Sequence, residues 1–181
     1  MNGRRVLIGV TGGIAAFKTA VLVSRLTQVG AETRVIMTRS AHRFVGRATF
    51  AALSGRPVAT RVFDVPHAPL GPHVELARWG ELLCIAPATA NFLAKAASGL
   101  ADDLLSTVYL AFQGPICVAP SMNDRMWKHP AVRRNASRIA EDGVDVLVPD
   151  EGWLSCREVG SGRMVEPDAL FEAIRGRLAG K

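Results

Sequence analysis

Apolar positions along the chain follow two spacings. Val6–Val10, Leu82–Ala86 and Ile116–Ala119 are short continuous runs, the pattern of strands covered on both faces. Between them the spacing lengthens to three and four. Ile14, Phe17, Val21, Leu22, Leu26 and Val29 predict a helix over 14–29, stopped by Gly30. Thr33–Met37 predicts the next strand and Ala41–Leu53 a helix, ended by Ser54-Gly55. Pro57–Phe63 has the pattern of a weak edge strand, and Asp64–Pro72, with three prolines, that of a loop. A short helix begins at His73. Further helices are expected at Phe92–Ser98, from Ala101 to about Phe112, and at Pro130–Glu141. Val144–Val148 predicts a last strand, Gly152–Arg163 a flexible Gly-rich loop of the kind that makes lids, and Pro167–Leu178 a final amphipathic helix. Strand and helix alternate with no repeat or linker. The expected fold is α/β, a three-layer doubly wound parallel sheet, in one domain over 1–181.

Sheets of this kind bind ligands at the carboxyl ends of their strands, so the strand-to-helix turns hold the candidates. Thr11-Gly12-Gly13 places backbone N–H groups at a helix start, which favours an anion. The turn is not GxGxxG, so a single-phosphate cofactor such as FMN suits it as well as or better than a dinucleotide. Thr38-Arg39-Ser40 offers two hydroxyls and a cation for a phosphate, although Ser40 also suits a helix cap. Thr89 and Asn91, in Pro87-Ala88-Thr89-Ala90-Asn91, face the same pair of readings. Asp102 and Asp103 fit ordinary capping. Pro120–Trp127 is an odd turn, with Asn123 and Arg125 set among Met122, Met126 and Trp127. By composition alone it serves either a ligand or the core. His73 stands at the mouth of a loop just before a core strand.

The 181 residues suffice for a sizeable core, and 49% are hydrophobic. No apolar run approaches the ~20 residues of a membrane helix. Arg4-Arg5 before Val6–Val10 resembles a signal segment, but Thr11-Gly12-Gly13 interrupts it, so the expectation is mature, cytoplasmic protein. The formal net charge is +6, yet the basic residues form no stripe and no aromatic ladder. They suit a solvated surface, with some arginines set aside for an anionic ligand, better than nucleic acid. Three cysteines without CxxC spacing argue against a disulfide framework and a zinc site. Cys84 and Cys117 lie in apolar runs and suit the core. Cys156 lies in a polar, Gly-rich segment where packing does not account for it.

Six segments together resemble the flavin-containing cysteine decarboxylases. They are Gly12-Gly13-Ile14-Ala15-Ala16, His73-Val74-Glu75-Leu76, Pro87–Asn91, Ala101-Asp102-Asp103-Leu104, Pro120-Ser121-Met122-Asn123 with Met126-Trp127, and Cys156 with Gly160-Ser161-Gly162-Arg163. The resemblance implies a Rossmann-like flavoprotein that decarboxylates 4′-phosphopantothenoylcysteine to 4′-phosphopantetheine in coenzyme A biosynthesis. It places FMN near Gly12, Gly13 and Ile14, on Thr38 or Ser40, and on Thr89, Ala90 and Asn91. It makes His73 the base, gives the substrate carboxylate to Asn123 with Met126 beside it, and puts Cys156 on a clamp loop that supplies a proton. It also implies a homotrimer or homododecamer with sites across interfaces, a small-molecule substrate, and no metal. The chain departs from the family in having Arg157 where Gly follows the clamp cysteine. Many bacterial relatives continue into a synthetase domain, so a chain ending at Lys181 is expected to be monofunctional or truncated. The alternatives are an oxidative decarboxylase of a peptide C-terminal cysteine, a flavin prenyltransferase and a non-catalytic flavoprotein subunit. Cys156 disfavours the first, the Met122-Asn123 turn with His73 and Cys156 the second, and the joint presence of His73, Asn123 and Cys156 the third.

Overall fold

The structure, a computed structural model, describes residues 1–63 and 69–180. Five parallel strands form the central sheet: β1 (Arg5–Val10), β2 (Glu32–Met37), β3 (Leu82–Ala88), β4 (Ile116–Pro120) and β5 (Asp145–Val146), in the order β2-β1-β3-β4-β5. The expected doubly wound parallel sheet is therefore present. Helices α1 (Ala16–Gln28), α2 (Arg47–Ser54), α3 (Pro72–Trp79), α4 (Ala90–Ser98), α5 (Leu104–Ala111), α6 (Asp124–Lys128), α7 (Pro130–Glu141) and α8 (Pro167–Ala179) surround it.

The continuous apolar strands feed two cores, one on each face. Val6, Ile8 and Val10 of β1 point to the side of α1, α2 and α8, where Leu22, Leu26, Phe50, Leu170 and Ile174 are buried. Leu7 of β1, with Leu83 and Ile85 of β3, packs on the other side against α4, α5 and α7 through Leu93, Leu105 and Ile139. Cys84 and Cys117 pair in register across β3 and β4, fully buried with free thiols, as core residues.

Several boundaries differ from the sequence expectation for physical reasons. Helix α1 starts at Ala16 and buries Ala16, Thr19, Leu22, Val23 and Leu26. Ile14, Phe17, Val21 and Val29, counted in the same apolar stripe, are exposed. The segment 41–53 is split into a 3-10 turn (Ala41–Arg43) and α2, with the break before Gly46. Pro57–Phe63 contributes only an isolated bridge, Ala59 to Ile36. Of Val144–Val148 only Asp145–Val146 forms strand, and Leu147 N donates one further bond to Val118 O at 2.9 Å. The loop expected over 64–72 falls partly on 64–68, outside the described residues; α3 already begins at Pro72. The Gly-rich segment expected as a flexible loop is an antiparallel hairpin, β6 (Asp150–Trp153) with β7 (Val159–Arg163). Among the described residues no helix is long and apolar enough to cross a membrane.

Candidate functional site

The carboxyl ends of β1, β2, β3 and β4 meet where the strand order switches between β1 and β3, the place where such sheets bind ligands. Two threonines hold this end together. Thr11 Oγ1 donates to Pro87 O at 2.7 Å and accepts from Thr89 N at 3.0 Å. Thr19 Oγ1 donates to Ala86 O at 2.7 Å. The turns after β1 and β3 are thereby fixed relative to one another.

Two cavities open there, and Gly12 and Thr89 line both. The smaller, about 330 Å³, is lined by Thr11, Thr38, Arg39, Ser40, Asn91 and Lys95, among others. Ser40 makes no capping hydrogen bond, so the cap expected of it is not formed. Thr38 Oγ1 is buried with no partner among the described residues. A hydroxyl buried without a partner costs free energy unless a ligand completes it. Gly12 abuts Ser40 so closely that a Cβ on it would lie 2.4 Å from Ser40 Cβ. Lys95, at the cavity edge, is held by Asp102 and Asp103 at 2.5 and 2.8 Å. Asp103 also caps α5 with a reciprocal bond to Ser106. Burial pushes its carboxyl up, but the bonds from Lys95 and Ser106 outweigh that and hold it below its ordinary value. Thr89 does cap α4, accepting from Phe92 N at 3.3 Å.

The larger cavity, about 580 Å³, lies beneath the hairpin. Gly13, Ile14, Phe17 and Ala90 line one side, Ser121, Met122, Asn123 and Met126 another, and Trp153, Leu154 and Cys156 of the hairpin a third. Asn123 is the N-cap of α6: its Oδ1 accepts from Arg125 N at 2.8 Å. With Oδ1 occupied by the helix start, the amide NH₂ faces away from it. Nδ2 donates towards Cys156 Sγ at 3.5 Å. The side chain that caps α6 therefore also presents a fixed donor to the cavity. Trp127 is buried packing, as composition allowed, while Met126 is 47% exposed at the cavity wall.

Lys18 is a cavity residue that sequence reasoning missed. It occupies the buried side of α1, and its Nζ donates to Met164 O at 3.1 Å and pairs with Glu166 Oε1 at 2.9 Å. Arg163, also lining the cavity, binds the same Glu166 oxygen at 2.5 Å. The hydrogen bond from Lys18, opposed by some desolvation, holds the Glu166 carboxyl below its ordinary value. The signal was present: a lysine falls in the first turn of an apolar helix, on the buried face.

His73 stands apart. It sits in the first turn of α3, its Nδ1 is buried with no partner among the described residues, and it lines neither cavity. One copy of the chain thus brings together Asn123, Met126 and Cys156 with Gly12, Gly13, Ile14, Thr89 and Ala90. Thr38, Ser40 and Asn91 line the adjoining cavity, and His73 joins neither group. Arg157 has φ +65°, the only non-glycine residue with positive φ among those described. It closes the hairpin turn, its N donating to Leu154 O at 2.9 Å. A glycine suits that conformation without strain. No cluster of metal-ligating side chains occurs among the described residues.

Comparison with known proteins finds similar chains along nearly the whole length. The chain is 47% identical over 179 residues to the coenzyme A biosynthesis bifunctional protein CoaBC of Bacillus subtilis (strain 168), covering 99% of this chain and 44% of the relative. It is 46% identical over 168 residues to the protein of that name from Mycobacterium tuberculosis (strain H37Rv), covering 92% of this chain and 40% of the relative. The chain therefore spans less than half the length of these relatives. Among solved structures it resembles a Cys→Ser variant of PPC decarboxylase complexed with pantothenoylaminoethenethiol, with TM-score 0.87, 31% identity and coverage of 96% of this chain and 97% of that one. It also resembles the FMN-dependent cysteine decarboxylase SpaF, with TM-score 0.86, 36% identity and coverage of 98% and 96%. The model of the family described as Flavoprotein matches residues 1–179. With that match along nearly its whole length, the chain belongs to the Flavoprotein family.

Proposed function

We propose that the chain is an FMN-dependent decarboxylase that converts 4′-phosphopantothenoylcysteine to 4′-phosphopantetheine in coenzyme A biosynthesis. The observation that carries this is the Asn123 amide, fixed by its cap and directed at the Cys156 thiol inside the larger cavity. The likeness to the FMN-dependent cysteine decarboxylase SpaF and to PPC decarboxylase supports the cofactor and the reaction class.

The residues present fit FMN. The unpartnered Thr38 hydroxyl and the close Gly12–Ser40 approach form a small polar cradle suited to an anionic end. Thr38, Ser40, Thr89 and Asn91 would hold the phosphate side, and Gly12, Gly13, Ile14 and Ala90 the wall continuous with the substrate cavity. When bound, FMN supplies the two-electron redox chemistry that a cysteine moiety, lacking an electron sink of its own, requires before it can lose CO₂.

The chain's own groups do the rest. Asn123 Nδ2 donates to the substrate carboxylate and holds it for departure. Met126, Trp153 and Leu154 supply apolar wall, and the hairpin above excludes water, which favours loss of a charged carboxylate as neutral CO₂. Cys156 gives its proton to the decarboxylated enethiol, and the saturated thiol results when the two electrons and the hydrogen withdrawn from the substrate in the first half are returned to it. That second half separates this function from an oxidative decarboxylase, which stops at the enethiol.

His73 is assigned as the base, and its place outside both cavities favours a site completed by a second copy of the chain. The exposed apolar residues Ile14, Phe17 and Phe44, all bordering the larger cavity, suit cover by a neighbour. We therefore assign a homo-oligomer, a trimer or a multiple of it. A reducing, cytoplasmic setting suits a reaction that needs Cys156 as a free thiol. The test is purification with FMN: a yellow protein that releases CO₂ from 4′-phosphopantothenoylcysteine supports the assignment, and a colourless one that cannot be reconstituted contradicts it.

A further inference from the structure

Asp124 follows Asn123 but does not cap the helix it begins. Its Oδ1 instead reaches across to β7, accepting from Ser161 N and from Ser161 Oγ, each at 2.8 Å. Oδ2 pairs with Lys128 at 2.9 Å, which aims the carboxylate. The backbone adds to this contact: Met122 N donates to Gly162 O at 2.9 Å.

The glycines of β7 are what allow so close an approach. A Cβ at Gly160 would lie 2.7 to 2.9 Å from Asp124 side-chain atoms. At Gly162, where φ is +137°, it would lie 2.4 Å from Met122 O. The Gly160-Ser161-Gly162 run, read from sequence as a source of flexibility, is therefore a fitted surface for residues 122–124. Meanwhile Asn123, the neighbour of Asp124, faces Cys156 at the opposite end of the same hairpin. A two-stranded hairpin of four and five residues has marginal stability by itself. Its anchors decide where its tip lies.

We propose that Asp124 is the positioning residue of this hairpin. By holding Ser161 it registers β7 against α6, and so presents the Cys156 thiol at Asn123. The proposal rests on the decarboxylase assignment for its chemical consequence. The step at stake is the second half of the reaction. The enethiol carbon–carbon double bond takes up one proton from Cys156 and regains the two electrons, with the second hydrogen, that were withdrawn from the substrate in the first half. A saturated thiol forms, and Cys156 is reprotonated from solvent. Carboxylate binding and CO₂ loss need Asn123 but not a correctly placed Cys156. Asp124 thus governs which product is released rather than whether CO₂ is lost.

The experiment compares Asp124→Ala, Asp124→Asn and Ser161→Ala in the full FMN-loaded chain, by backbone hydrogen exchange and by the products formed from 4′-phosphopantothenoylcysteine. In Asp124→Ala, exchange over residues 150–163 should rise about tenfold, while that of β1 stays unchanged. The product should shift from saturated thiol to enethiol, and CO₂ release, which the hairpin aids only by excluding water, should fall by less than saturated-thiol formation does. Asp124→Asn keeps a carbonyl oxygen for Ser161 and should restore both readouts. Ser161→Ala, which removes only the hydroxyl, should move both in the same direction by less. Parental exchange and an unchanged product ratio in Asp124→Ala would overturn the proposal. So would an unaffected Ser161→Ala if Asp124→Ala does not fold. Should the parent fail to decarboxylate this substrate, the assigned reaction falls, while the exchange comparison still decides whether Asp124 holds the hairpin.

Discussion

Asn123 combines two tasks in one amide, and they can be separated. Its Oδ1 caps α6 and its Nδ2 faces the cavity. Aspartate caps as well as asparagine, but it offers a negative acceptor in place of the donor. Asn123→Asp should therefore leave the melting temperature unchanged while kcat/KM falls 100-fold or more, roughly the 1.5–3 kcal/mol of a charge-assisted bond plus repulsion of the carboxylate. Asn123→Ala should lose about 1 kcal/mol of stability as well. Steady-state kinetics beside thermal melts read both. Cys156→Ser should release CO₂ but accumulate the enethiol, detectable by mass spectrometry. Full conversion to the saturated thiol by that variant would remove Cys156 from the mechanism. At this scale the sequence was informative wherever a side chain broke the composition of its segment, as Asn123 and Cys156 do. It marked Lys18 as a lysine on a buried helix face but did not give its partner, and it did not mark Asp124 at all; their partners lie 148 and 37 residues away. Pairings at that distance follow from tertiary packing, which local spacing does not encode.

Among the elements, those buried on both sides were plain from their apolar runs, and α7 was bounded by its own Pro130 and by Asp142-Gly143. The hairpin was not plain. Three glycines suggested freedom, yet Gly160 and Gly162 are needed for close approach to Asp124 and Met122. The apolar stripe of α1 was misleading in another way. Ile14 and Phe17 continue its period but border the cavity instead of entering the core. Periodicity reports burial of some kind, whether by the fold, a ligand or a neighbour. The hairpin turn yields its own test. Arg157 sits in the left-handed region at a cost of roughly 1 kcal/mol. Arg157→Gly should keep the turn, and with it the parental ratio of saturated thiol to enethiol. A shift toward enethiol would show that the arginine side chain itself takes part in closing the site.

For the whole molecule, the acid limit follows from its paired carboxylates. Glu81 is held below its ordinary 4.5 first by the Arg5 N–H, and Glu166 first by Lys18; Asp103 lies below its ordinary 3.8 because the Lys95 and Ser106 bonds exceed the cost of burial. A carboxylate depressed in the fold contributes its full stability above the ordinary value and loses it as pH falls through the folded value. Melting temperature should thus be flat through neutral pH and decline once pH drops below about 4, and Asp103→Asn should decline less steeply. Assembly is tested by complementation. Mixed oligomers of His73→Asn and Cys156→Ser chains should regain saturated-thiol formation that neither shows alone, if His73 and Cys156 meet across an interface. Decarboxylation itself is read in a single assay. FMN-loaded protein is incubated with 4′-phosphopantothenoylcysteine, and the products are followed by mass spectrometry. The expected result is loss of CO₂ with formation of saturated 4′-phosphopantetheine. Unchanged substrate, or a product that stops at the enethiol, would contradict it.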